Sequence, residues 1–82
     1  MQDLDTLINQ ALEKDLTYTY VLSEIKRKKW NLNLKQAEHL STKFNVNMVR
    51  ILFSAEDLNI LNVDSKTKKA LKTQRKNKQD YF

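Results

Sequence analysis

Apolar side chains recur along this chain at spacings of three and four. From Leu4 they run Leu4, Leu7, Ile8, Ala11 and Leu12, the stripe of one helical face, which predicts a first helix. Tyr18, Val21, Leu22 and Ile25 form a second stripe and predict a helix from about Thr17 to Lys29. The alternating TYTYV would also suit a strand, but a single strand would have no partner. Leu34, Ala37, Leu40 and Phe44 give a third helix, opened by Asn33 as its cap. Met48, Ile51 and Leu52 predict a short helix that stops near Phe53, with Ser54-Ala-Glu-Asp57 reading as the capped start of another. Asp64 or Ser65 can cap a last helix through Ala70 and Leu71, whereas TQRKNKQDYF carries too little apolar surface to dock and is expected to fray. The pattern therefore predicts an all-α fold: a single compact bundle of four or five short helices over residues 1–72, then a basic tail, 73–82. The expected core is Leu4, Leu7, Leu12, Val21, Leu22, Ile25, Leu40, Phe44, Ile51, Leu52, Leu58 and Leu61. No internal repeat is visible in the sequence.

Composition sharpens this picture. Glycine and proline are absent, and two-residue hairpins normally need glycine at positive φ, so the helical reading gains over any β alternative. Helix ends still need residues that tolerate the left-handed conformation, with asparagine the usual second choice. Asn31, Asn33, Asn45, Asn47 and Asn62 fall at the breaks between apolar stripes. Cysteine is also absent, which excludes a disulfide framework and a thiolate zinc cluster and fits a cytoplasmic location. Eighty-two residues make one domain that buries about 60% of the unfolded chain's surface. The acidic start MQDLDTLINQ is unlike a signal peptide, and no apolar run exceeds three residues, so no membrane partner is expected.

Charge and chemistry come next. The net charge is +5 and the pI about 9.6, distributed as −3 over residues 1–22, +5 over 23–50, −2 over 51–63 and +5 over 64–82. This distribution predicts a bundle whose two ends differ in sign. His39 is the one histidine, beside Ala37 and Leu40, and no other side chain offers a base near neutral pH. Asp3/Asp5 and Glu56/Asp57 are close in sequence, but sequence neighbours on a helix point apart, and scattered carboxylates lack metal-ligand spacing. No enzyme, cofactor, metal or small-molecule substrate is expected. The basic segments are the stronger signal: Lys26, Arg27, Lys28 and Lys29 in one run, and Lys66, Lys68, Lys69, Lys72, Arg75 and Lys76 in the tail region. Such clusters suit phosphates, with affinity that falls steeply with salt; the bland reading is a solvated face and a solubilising tail. Trp30 either stacks on a base or closes the core, and core is the reading preferred for a single tryptophan in a small bundle. Twelve lysines against three arginines, with eight asparagines, point to an AT-rich genome such as a low-GC bacterium or its phages and plasmids.

Two family resemblances bear on function. In KQAEHLSTKFNVNMVRI, Ser41 stands where close helix packing is needed, Phe44 and Val46 flank a turn, Asn45 takes the usual glycine position and Ile51 fills a core position. Over residues 34–53 this resembles helix-turn-helix DNA-binding regulators. That resemblance implies a second helix in the major groove presenting Asn47, Met48, Val49, Arg50, Leu52 and Phe53, with Asn47 and Arg50 as natural contacts and Lys43 beside them. The run ILFSAEDLNILNV, residues 51–63, with KKWNLNLKQAEHLSTKF before it and KTKKALK after it, is similar to sterile alpha motif domains over residues 19–76. That similarity implies a five-helix fold that binds proteins as homo- or hetero-oligomers, with RNA hairpins as ligands of some basic members. Ile51 and Leu52 are expected to be buried. The expected function is a non-catalytic nucleic-acid-binding protein, DNA before RNA, acting as a regulator or accessory factor of a phage or plasmid. The alternative is a protein-interaction module, either sterile-alpha-motif-like or a phage-type inhibitor or adaptor that docks on a host protein, with a protein partner, or a second copy in a homodimer, held by Tyr18, Tyr20, Tyr81 or Phe82.

Overall fold

A computed structural model describes residues 3–76, with side chains as far as Gln74. Expectations that concern Tyr81, Phe82 and the rest of 77–82, or the side chains of Arg75 and Lys76, lie outside the described residues. The order is α1 (Leu4–Glu13), α2 (Tyr18–Arg27), α3 (Leu34–Phe44), α4 (Met48–Asp57) and α5 (Ser65–Lys76). The all-α bundle is thus observed, with five helices among the described residues. α1 packs on α2, α3 on α4, α2 on α4, and α5 on α4. The helix starts follow from capping. Asp3, Asn33 and Asp64 accept the backbone N–H three residues on, from Thr6, Gln36 and Thr67, and Asn33 with Gln36 completes a reciprocal capping box. The alternating TYTYV opens α2, with Tyr18 turned into the core.

One boundary differs from expectation. Ser54 does not start a helix: Met48, Ile51, Leu52 and Ala55 continue one inward stripe across it, so α4 runs unbroken to Asp57.

Among the described residues four take the left-handed conformation: Asp15, Lys29, Asn45 and Asn59. Each lies just past a helix, and the following N–H, of Leu16, Trp30, Val46 or Ile60, bonds back to the carbonyl of Ala11, Ile25, Ser41 or Ala55 at 2.8–3.1 Å. This is the Schellman closure, in which an apolar residue folds back over the helix end. Of the five asparagines expected at such breaks, Asn45 takes this conformation, while Asn33 and Asn47 cap helix starts. Asp15 and Lys29 occupy positions where glycine would be unstrained.

These features repeat every thirty residues. The caps Asp3, Thr17 and the left-handed Asp15 and Lys29 of the first hairpin correspond to Asn33, Asn47, Asn45 and Asn59 of the second. Buried Val21, Leu22 and Ile25 likewise match Ile51, Leu52 and Ala55. The backbone therefore contains an internal repeat that the sequence conceals, because residues 4–30 and 34–60 share only Leu4/Leu34 and Leu22/Leu52. The two hairpins are joined where they exit. Leu32 N–H donates to Ile60 O and Asn62 N–H to Leu32 O, both at 2.8 Å, a single parallel bridge between Leu32 and Leu61.

The core is built mainly of Leu7, Ile8, Ala11, Tyr18, Val21, Leu22, Ile25, Leu32, Ala37, Leu40, Ile51, Leu52, Ala55, Ile60 and Leu71. Ile51 and Leu52 are buried as expected, and Leu4, Phe44, Leu58 and Leu61 pack partly buried at its margin. Leu12 departs from expectation at 41% exposed, since Leu7, Ile8 and Ala11 centre the inward face and leave it at the edge. Leu32, absent from the expected core, is fully buried where it forms the bridge.

Candidate nucleic-acid interface

The bridge sets residues 26–32 beside residues 58–62, so the basic run at the end of α2 lies by the segment that leads into basic α5. Lys26 ties them directly, its Nζ donating to the Leu58 carbonyl at 2.8 Å. An ammonium there satisfies a carbonyl at the C-terminus of α4 and complements the helix dipole. Arg27 grips Glu24 through Nε and Nη2 at 3.1 and 2.8 Å, and its guanidinium holds the Glu24 carboxyl below the usual carboxylate range. The Lys28 ammonium stands 5.5 Å from the centre of the Trp30 ring, within cation–π range. Lys29 is exposed on its left-handed backbone. Within one run of four cations, three therefore have partners inside the fold.

Across the bridge, Lys66, Lys68, Lys69 and Lys72 are exposed along α5. Lys68 and Lys72, one turn apart, border a shallow concavity of about 170 Å³ with Glu56, Asn59 and Leu61. Arg75 and Lys76 fall in the last turn of the same helix.

The remaining candidates lie elsewhere. Lys43, Asn47 and Arg50 are exposed around the α3–α4 turn, separated from the bridge by the length of α4, about 15 Å at 1.5 Å per residue. The Asn47 carboxamide oxygen is occupied in capping, accepting from Val49 N–H at 2.8 Å. Ser41 donates its hydroxyl to the Val46 carbonyl at 2.6 Å, which fixes the turn around Asn45. Of the apolar positions in α4, Leu52 is buried, and Met48, Val49 and Phe53 are half-buried.

Acidic groups are not segregated to an opposite end, contrary to expectation. α1 packs back along α2 and returns Asp3 to the neighbourhood of Trp30, where Asp3, Leu4, Ile25, Trp30, Asn31 and Gln36 line a cavity of about 420 Å³. A neighbouring hollow of about 460 Å³ shares Asp3, Leu4 and Gln36 and extends between α1 and α3. There His39 Nε2 meets Asp5 Oδ1 at 3.0 Å, so His39 faces α1 across the groove rather than the core. Sequence reasoning missed the contributions of Asn31 and Gln36 to this wall; the Asn33–Gln36 capping spacing was the available signal for the latter. Among the described residues no three His, Cys, Asp or Glu side chains gather as a metal site, and no helix is long and apolar enough to cross a membrane.

Comparison with protein-family models, with curated proteins and with solved structures finds no match for this chain.

Proposed function

We propose that the chain is a small, non-catalytic nucleic-acid-binding protein, a DNA-binding regulator or accessory factor that grips phosphates with its bridge end and α5. What supports this reading is the lysine row Lys66, Lys68, Lys69 and Lys72, exposed along α5 as it packs on α4, together with exposed Lys29 just past α2, a segment that the Leu32–Leu61 bridge ties to the segment leading into α5. Lysine ammoniums act as flexible point charges, giving affinity that depends on salt and little discrimination between bases. Lys26, Arg27 and Lys28 shape and neutralise the surroundings, and Lys43, Asn47 and Arg50 form a separate, smaller set at the far turn. Their placement supports a second contact on long nucleic acids, in the manner that the helix-turn-helix resemblance implies. A lysine- and asparagine-rich composition supports a phage or plasmid source.

Binding to a labelled DNA of mixed sequence, presented as duplex and as single strand and titrated with salt, tests the reading. Binding to both at low salt, lost steeply as salt rises, is expected; no binding to either form at about 50 mM salt overturns it.

A protein-interaction module is the second reading, favoured by Leu12 in the last turn of α1 and Leu16 just past it, 41% and 37% exposed. Burial of Tyr18 removes one of the contact residues that reading first suggested. Leu12→Lys/Leu16→Lys should abolish capture of a protein partner and leave DNA affinity intact or raised; unchanged protein capture would dismiss this surface.

A further inference from the structure

We infer that the cavity beside Trp30 receives an unstacked nucleobase, so that the protein engages single-stranded nucleic acid in a way that a duplex cannot match. The inference rests on the nucleic-acid reading above and specifies the form of its ligand. Three features converge on this cavity. Its volume, about 420 Å³, falls in the range of small-ligand sites, about 300–1,000 Å³. Its wall combines an aromatic ring, Trp30, with an apolar floor of Leu4 and Ile25 and a polar rim of Asp3, Asn31 and Gln36. A flat heterocycle needs such a combination, a surface for its π-face and hydrogen-bonding groups for its edge.

The rim groups are oriented by the fold. Gln36 Oε1 accepts from Asn33 N–H at 2.9 Å, so the group it presents is its NH₂, a donor. Asp3 accepts from Thr6 N–H at 2.9 Å, which fixes its carboxylate, an acceptor. Donor and acceptor together can serve the edge of a base, but not that of a hydrocarbon.

Lys28 supplies the exchange step. Its ammonium stands over the Trp30 ring at 5.5 Å from the centroid, both residues being half-buried, a contact intermediate in strength between exposed and desolvated cation–π pairs. A base arriving on the ring replaces it and brings its own phosphate, to which the Lys28 ammonium can swing. Lys35, exposed on the wall of the adjoining hollow, can meet a neighbouring phosphate. A base held in a duplex stack does not reach this position without being unpaired and turned out.

Trp30 is the one tryptophan in the chain, so its fluorescence reports this cavity alone. The test uses the full chain with a 12-nucleotide single strand of mixed sequence, the same sequence as duplex, and dGMP. The single strand should quench Trp30 emission with the same midpoint as the anisotropy of a labelled strand. The duplex should raise anisotropy without quenching, and dGMP should quench only at concentrations about a hundredfold higher. Trp30→Leu should lower single-strand affinity about tenfold and leave duplex affinity unchanged. Asn31→Ala, an exposed rim position, should lower it about threefold and guards against loss of folding in the first variant. Single-strand binding that leaves Trp30 emission unmoved overturns the inference while the nucleic-acid reading stands. Quenching by dGMP at the strand's own concentration also overturns it, assigning the cavity to a free nucleotide. Absence of binding to both DNA forms removes the broader reading and this one together.

Discussion

Arg27 and Lys29 stand two residues apart in one basic run, yet they should respond differently to removal of their charge. Arg27 makes two hydrogen bonds to Glu24, at 2.8 and 3.1 Å. Exposed ion pairs of this kind add little stability, but seen from a phosphate the pair is nearly neutral. Lys29 is exposed on its left-handed backbone. Each lysine that neutralises one duplex phosphate contributes about −0.9 to the slope of log K against log salt. Engagement of Lys29, Lys66, Lys68, Lys69 and Lys72 therefore gives a slope of about −4.5 and a loss of roughly 500-fold in affinity between about 50 and 200 mM salt. Lys29→Gln should bring the slope to about −3.6. Glu24→Gln/Arg27→Gln removes the pair without changing net charge and should leave the slope near −4.5. Anisotropy of a labelled duplex, measured across this salt range, reads both. An equal loss of slope in the two variants would refute the assignment of contacts from geometry, and a wild-type slope near zero would refute phosphate binding altogether.

Three further outcomes follow from the fold. Asp15→Gly relieves a left-handed aspartate and should stabilise the protein by up to about 1 kcal/mol, whereas Asn45→Gly should change stability by a few tenths, because asparagine tolerates that conformation; urea denaturation that ranks them in reverse would contradict the closure described. Leu32→Ala empties a fully buried position beneath the bridge and should destabilise by about 2–5 kcal/mol, with phosphate binding lost wherever the two hairpins part; a loss below about 1 kcal/mol would deny the bridge its structural role. Asp3 and Asp64 have lowered pKa values, chiefly through the backbone N–H of Thr6 and the side-chain hydrogen bond of Thr67 respectively. Carboxylates with depressed folded pKa values contribute stability that is present above their unfolded pKa and lost as pH falls through the folded one, so thermal unfolding should ease below about pH 4. Asp3→Asn/Asp64→Asn, which keeps a capping oxygen without its titration, should flatten that limb; an unaltered acid limb would dismiss the two caps as its source.

What the sequence made legible and what it hid divide along a physical line. α3 was readable at both ends because its signals are local: Asn33 as the cap at its start and an asparagine after Phe44 at its end. Ser54 misled for a local reason too, since a serine three residues before an acid has the same composition whether or not the chain is already helical there. Only the stripe from Met48 to Ala55, continuous across Ser54, decides between the two. Leu32 and Lys29 were beyond local reasoning. Leu32 is buried because Leu61 arrives beside it from twenty-nine residues away, and Lys29 is left-handed because Trp30 must fold back over the end of α2. The thirty-residue repeat stayed hidden for the same reason, being written in cap positions and apolar spacing with almost no shared residues. The interface follows the same division. Counting charges located both basic segments, since net charge depends on composition alone. Which charges remain available to a ligand depends on their neighbours: Lys26 is taken by a carbonyl from another hairpin, Arg27 by a carboxylate one turn back and Lys28 by an indole ring. The acidic start was read as an opposite pole from its position in the chain, but a helical hairpin returns its first residues to its last, and Asp3 ends beside the basic run. That return also forms the cavity at Trp30, so the feature most specific to a ligand class arises from the fold-back of α1 and not from the charge run that first drew attention to this end.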